Sequence, residues 1–296
     1  MFPLEAVPNF SEGRDRSIID AIGGALSAHA RLLDVHSDAD HNRSVYTLVG
    51  SQDELVGALL AGIASARERI DLGRHEGAHP CIGAADVVPF VPIRGADGDR
   101  ARAAALELAR RVGEELALPV FLYADLAPGR GPAFFRRGGP VELQRRLDAG
   151  ELVPDFGPAR LDERAGGVLI GARAPLIAFN VDLEGDDLDA ARDVARAVRE
   201  RDGGFPGVRA LGLRLPRAGH VQVSLNIEDW GASPLHEVVG AVQREAAARE
   251  LRVTGSELVG LLPAGAAVAA AGSLLGVAGL DPSHVLELRL LADEQE

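Results

Sequence analysis

The feature that most constrains this chain is an order of elements that occurs twice. In the second half, Val168–Leu183 (VLIGARAPLIAFNVDL), entered through Gly166-Gly167, reads as one aliphatic strand. Asp187 opens a helix in which Leu188, Ala191, Val194, Ala195 and Val198 recur at helical spacing, ended by Gly203-Gly204 and Pro206. Val208–Leu215 and His220–Ile227 read as short strands joined across Pro216–Gly219. Ser233-Pro234, a cap residue followed by proline, opens a helix over Leu235–Leu251, and Arg252–Leu262 is a last strand. The first half runs likewise: strand Leu4–Pro8, helix Arg16–His29, strands Arg31–His36 and Ser44–Val49, a helix from the capping box at Ser51 and Glu54 to about Ile70, and strand Val87–Ile93. Strand, helix, strand, strand, helix, strand, repeated, predicts an α+β protein: two ferredoxin-like (βαββαβ) α/β subdomains from an internal duplication, each with helices covering one face of an antiparallel sheet. Between the halves lie a helix over Asp99–Leu116, a strand over Pro119–Tyr123 and a Gly/Pro-rich connector from Ala127 to Pro158. The expected division is 1–165 and 166–296, with a cleft between the subdomains as the natural place for a small molecule.

Composition narrows the chemistry. With 44 acidic and 31 basic residues the net charge is −13, and no basic run offsets it, so nucleic acid is not an expected partner. Every basic residue is arginine; the absence of lysine removes Schiff-base chemistry and a Walker-type phosphate loop. The single Cys81 precludes an intrachain disulfide and fits a reducing, cytoplasmic setting. The opening MFPLEAVPNFSEGRD lacks the basic and apolar regions of a signal peptide. Leu258–Leu280 runs 23 residues without a formal charge, yet its Ala/Gly content and Pro263 favour a strand end followed by a short core helix over a membrane span.

Three polar stretches fall at strand ends. Asp34-Val-His36-Ser-Asp38-Ala-Asp40-His41-Asn42-Arg43 has the donor types of a transition-metal site, of a substrate-binding turn, or of an ordinary solvated turn. Arg43 is its strongest member for holding a carboxylate, because a guanidinium forks onto both oxygens. His75-Glu-Gly77-Ala78-His79-Pro80-Cys81 holds an imidazole in a preset Gly/Pro loop, and imidazole moves protons near neutral pH. A Cys81–His79 nucleophile pair and a plain structural loop are the other readings. The third, from Pro154 through Gly166-Gly167 to Arg173, has clustered glycines whose amides could approach a flat or anionic ligand, or it is a linker.

At these residues the chain resembles the glutamate formimidoyltransferase (formiminotransferase) family, in its stand-alone form. The blocks run in order along nearly the whole chain: EAVPNFSEG from Glu5, LLDVHSDADHNRSV from Leu32, AHPCIGAADVVPFVP from Ala78 and LPVFLY from Leu118. PDFGP from Pro154, GARAPLIAFNV from Gly171, QVSLNIED from Gln222 and GSELVGLLP from Gly255 follow. The resemblance implies transfer of the formimino group from N-formimino-L-glutamate to N5 of tetrahydrofolate, a co-substrate, within histidine degradation and one-carbon metabolism, usually by a homodimer or larger assembly and with no metal. In animal members this domain is fused to a cyclodeaminase, an activity not expected of a chain ending at Glu296. The family's catalytic histidine maps to His79. Its folate-contacting segment maps to Gly157, Pro158, Ala159, Arg160, Leu161, Asp162, Glu163, Arg164, Ala165 and Gly166. Two positions depart from the family's Gly-Glu-His-Pro-Arg block: Ala78 stands for the Glu and Cys81 for the Arg, which makes a nucleophilic Cys81 less expected.

On this reading His79 is a general base. Asp38, Asp40, His41, Asn42, Arg43, Arg173 and Asn226 are the further substrate-binding candidates, the arginines for carboxylates and the asparagines for amide or pterin groups. The alternatives are a metal-dependent hydrolase using His36, Asp38, Asp40, His41 and His79, and a non-enzymatic small-molecule sensor.

Overall fold

Local signals hold where a side chain satisfies a helix end. In the computed structural model, which describes residues 2–293, Ser51 caps its helix reciprocally: the hydroxyl accepts from the Glu54 amide, and the Glu54 carboxylate accepts from the Ser51 amide at 2.7 Å. Asp15 accepts from the Ser17 amide and Asp187 from the Ala190 amide, both at 2.9 Å. Each satisfies a donor that a helix start leaves unpaired. Ser233 does otherwise. It is buried, its hydroxyl donates to the Pro206 carbonyl at 2.6 Å, and its helix starts without a side-chain cap.

The chain divides into two compact units, Met1–Pro175 and Leu176–Glu296. The first runs β1 (Leu4–Ala6), β2 (Asn9–Phe10), α1 (Arg16–Ser27), β3 (Arg31–Asp38), β4 (Arg43–Gly50), α2 (Gln52–Arg69) and β5 (Ala85–Val91). It continues with α3 (Gly98–Glu115), β6 (Val120–Ala124), α4 (Pro132–Arg136), α5 (Gly139–Asp148) and β7 (Val168–Ala172). The expected first strand is split at Val7-Pro8 into β1 and β2, and both pieces pair with β4 on one side and β5 on the other. With β3 outside β4, the spatial order is β5, β1/β2, β4, β3, all antiparallel. β7 then joins β5, and β6 joins β7, both in parallel. Strand alternation sends Val168 and Ile170 of β7 into a core with Ile22, Leu26, Leu59 and Leu108 of the three long helices. Leu169 turns the other way, against Phe121, Phe135, Leu143 and Leu147 under α4 and α5.

The second unit runs β8 (Ile177–Leu183), α6 (Leu188–Val198), β9 (Val208–Leu215), β10 (His220–Ile227), α7 (Leu235–Ala247) and β11 (Val253–Val259). Its antiparallel sheet has the order β11, β8, β10, β9, and α8 (Ala264–Leu275) and α9 (Leu286–Asp293) follow. Its core is built from Val181, Val194, Val223, Val238 and Val242.

Three further expectations change. Val168–Leu183 is two strands in two sheets, interrupted at Arg173–Leu176, so the strand expected to open the second half closes the first sheet. The connector Ala127–Pro158 contains α4 and α5, whose Phe135, Leu143 and Leu147 are buried. Leu258–Leu280 is a strand end and a helix as expected, but the helix lies at the surface, with Leu274 88% exposed. Among the described residues no helix is long and apolar enough to cross a membrane.

Candidate functional site

The β3–β4 turn and the loop before β5 are bound to each other. Asn42 takes a left-handed conformation (φ +48°), which asparagine tolerates better than most residues. Its Oδ1 accepts from the Gly13 amide at 3.0 Å, and its Nδ2 donates to the Glu76 carbonyl at 3.2 Å. Asp38 Oδ1 accepts from the His41 amide at 2.6 Å, and the Asp40 carbonyl accepts from the Ala78 amide at 2.9 Å. Gly77 is needed at this junction, because a Cβ there would lie 2.3 Å from the His41 carbonyl oxygen. The result stacks the His41 and His79 rings, centroids 5.9 Å apart and planes 20° from parallel.

His79 Nδ1 lies 2.9 Å from the Pro80 carbonyl oxygen. A carbonyl only accepts, so the proton sits on Nδ1 and Nε2 keeps its lone pair. Partial burial depresses the basicity of this half-buried imidazole well below 6.5, and the neighbouring Arg43, Arg136 and His41 push the same way. It is therefore neutral at physiological pH.

Those guanidiniums meet on a residue the sequence reading missed. Asn9 pairs with Val87 while Phe10 pairs with Ala85, so Asp86 is the extra residue of a β-bulge, a device that re-aims a side chain. Its side chain is 0% exposed. Oδ1 accepts from the Ile82 amide at 2.9 Å, and Oδ2 accepts from Arg43 Nη1 at 2.8 Å and also from Arg136 Nη2. Burial would raise this carboxyl, but Arg136 and Arg43 hold it below its ordinary value. Arg43 also donates from Nε to Asn9 Oδ1 at 2.9 Å, so much of the fork expected to face a substrate is already engaged. A lone Asp entering the apolar run VVPFV was the available signal for Asp86, since a buried charge demands a partner. Nothing local marked Arg136, which stands on α4 inside the connector.

Burial, and then Asp86, push the Cys81 thiol up, away from the thiolate that a nucleophile requires. Burial raises the Glu5 carboxyl, which the Arg173 charge just after β7 offsets only in part, and burial pushes the Tyr123 hydroxyl up to about 12.

The segment from Gly157 to Gly166 lies in the same unit. Its C-terminal part docks on the His79 loop: Ala84 donates to the Ala165 carbonyl at 2.8 Å and Leu72 to the Arg164 carbonyl at 2.8 Å. Gly166 (φ +68°) makes this possible, since a Cβ would lie 2.2 Å from the Ile82 carbonyl oxygen. The amides expected to face a ligand here are used internally. Arg164 and Ala165 donate to Asp162 Oδ1, Gly166 to the Asp162 carbonyl, and Gly167 to the Ile82 carbonyl. Asp162 pairs with Arg67 at 3.1 Å, and Leu161 donates to Gln144 Oε1 at 2.9 Å. Gly157, Pro158, Ala159, Arg160 and Glu163 are exposed. Asn226 is exposed on β10, in the second unit.

Among the described residues no three His, Cys, Asp or Glu side chains converge as metal ligands, so the donor set of the hydrolase reading is not assembled there. Shallow hollows of about 490 Å³ beside Ser27–Arg31 and about 500 Å³ beside Leu215–His220 contain none of the residues of the His79 cluster.

A neutral imidazole, a buried carboxylate and a surplus of guanidinium charge in one unit suit proton transfer on an anionic substrate. Residues 3–173 match the model of the formiminotransferase domain's N-terminal subdomain, and residues 178–276 match the formiminotransferase domain. The chain belongs to the formiminotransferase family. It is 38% identical to the glutamate formimidoyltransferase of Thermoplasma acidophilum, over 97% of each chain, and 36% identical to that of Streptococcus pyogenes, over 97% of this chain and 98% of the relative. The formimidoyltransferase-cyclodeaminase of Rattus norvegicus is 40% identical over 88% of this chain and 50% of its own length.

Proposed function

We propose that this chain transfers the formimino group of N-formimino-L-glutamate to N5 of tetrahydrofolate, giving 5-formiminotetrahydrofolate and L-glutamate, with His79 as general base. The observation that carries the role of His79 is its tautomer: Nδ1–H points at the Pro80 carbonyl, which leaves Nε2 as the acceptor. Holding both reactants together lowers the entropic barrier of a two-substrate step. N5 attacks the amidine carbon and passes its proton to His79 Nε2. The tetrahedral adduct collapses as the bond from carbon to the glutamate nitrogen breaks, and the imidazolium returns the proton to that nitrogen. No group outside the two substrates is consumed. A histidine held neutral by burial and by Arg43 and Arg136 enters this cycle in its working state.

Gly157–Gly166 supplies the folate contacts on this reading, from exposed residues such as Arg160 and from carbonyls and side chains rather than from the amides already bonded within the loop. Asp38, Asp40, His41, Asn42, Arg173 and Asn226 remain substrate-binding candidates. The reading extends to a homodimer in the cytoplasm acting in histidine catabolism and one-carbon metabolism. The matching order of β5, β1/β2, β4, β3 and β11, β8, β10, β9 supports two ferredoxin-like units from one duplication. The direct test is an absorbance assay for the folate product, with formiminoglutamate and tetrahydrofolate omitted in turn. Product only when both are present is the expected result; turnover of either alone, or none, ends the reading.

A further inference from the structure

We propose that Arg136, with Arg43 beside it, binds a carboxylate of the formimino donor and sets its specificity, an inference resting on the transferase reading above. Two guanidiniums share one carboxylate oxygen of Asp86, whose other oxygen is taken by the Ile82 amide, so the cluster carries one uncompensated positive charge. Arg43 spends Nε on Asn9 and Nη1 on Asp86. Arg136 spends only Nη2 on Asp86, and its Nε is buried with no hydrogen-bond partner. Its side chain is 13% exposed. Buried donors are rarely left unpaired, and a guanidinium edge with free N–H groups matches the two oxygens of a carboxylate in a way a point charge does not. A single surplus charge suits one monoanionic carboxylate. The placement suits a donor as well: Asp86, which anchors Arg136, also holds the Ile82 amide three residues beyond His79.

The test compares three donors, N-formimino-L-glutamate and its two monoamides, on the native chain, on Arg136→Gln and on Arg136→Lys. On the native chain one monoamide is expected to lose about 10–100-fold in kcat/KM, as loss of a charge-assisted hydrogen-bond pair would give. Arg136→Gln should lose a similar factor on formiminoglutamate through KM, leave the KM for tetrahydrofolate unchanged, and lose nothing further on that monoamide; Arg136→Lys should recover part of the loss. Equal losses on all three donors, or none, overturn the proposal. Should Arg136→Gln fail to fold by circular dichroism, the native donor series and Arg136→Lys decide alone, since indifference of the native chain to both monoamides is itself fatal. If the native chain transfers from none of the donors, the transferase reading falls, and calorimetric titration with L-glutamate tests the arginine separately. Binding that Arg136→Gln abolishes upholds the carboxylate site, and absent or equal binding removes it.

Discussion

Within the seven-stranded first sheet, β5, β1/β2, β4 and β3 lie in the order of β11, β8, β10 and β9 in the second, and β5 and β11 each carry a bulge, yet only one of those bulges is part of a candidate site. On β11 the extra residue is Thr254, exposed on an edge strand. On β5 the extra residue is Asp86, with β7 added alongside and α4 bringing Arg136 onto it. The same backbone irregularity is inert at an edge and chemically significant when added elements bury it. Burial forces the carboxylate to collect partners, and the charges of those partners add to burial in holding His79 neutral.

The largest effect tests whether the buried bulge's neighbourhood performs the chemistry. His79→Ala should lower turnover by about two to four orders of magnitude, the range general-base catalysis supplies, with folate affinity nearly kept. Wild-type-like turnover would remove the role. Asp86→Asn leaves two buried guanidiniums without their counter-charge and should cost about 3–5 kcal/mol in urea unfolding, whereas Thr254→Ala at the other bulge should stay within about 0.5 kcal/mol. Similar midpoints for the two variants would erase the contrast between the bulges. Gly77→Ala drives a methyl into the His41 carbonyl and should cost about 1–3 kcal/mol with a matching loss of turnover.

A pH profile sharpens the electrostatic half of the contrast. A lowered imidazole pKa keeps the base unprotonated to greater acidity, so kcat/KM should stay level as pH falls through 6.5 and decline only below it. Removing the Arg136 charge relieves part of that depression, so the acid limb of Arg136→Gln should move to higher pH. A limb at the ordinary imidazole value in the native chain, or one that does not move, contradicts this account. The smallest effect belongs to Cys81→Ser: with the thiol protonated and outside the reaction, turnover should change by no more than a few-fold, and saturation kinetics with both substrates would reveal a larger loss.

Legibility in the sequence followed the range of the interactions. Ser51 with Glu54, and Asp187, announce helix starts because cap and recipient lie within three residues of each other. The pairing of Asp34–Arg43 with His75–Cys81 was not legible, although each stretch stood out; the contact runs through Asn42 to Glu76 and Asp40 to Ala78, across a whole helix. Arg43 stands out in the sequence as a residue that could hold a carboxylate, but its engagement by Asn9 and Asp86 is not legible there, since both partners lie over thirty residues away. Gly166-Gly167 looked like a ligand cradle because glycine signals close approach without saying to what; here the approaching group is the chain's own main chain at Ile82.

By itself, the sequence determined most of the helices and strands, the helix starts at Ser51 and Asp187, the arginine-only basic chemistry and the family blocks, since each depends on residue type and near neighbours. Only tertiary structure decided that β7 belongs to the first sheet, that Asp86 leaves the strand ladder, and that an arginine fifty residues further on is its second partner. A buried charge states in the sequence that it needs a counter-charge; which one answers depends on where separate segments are brought to lie, and no local pattern carries that.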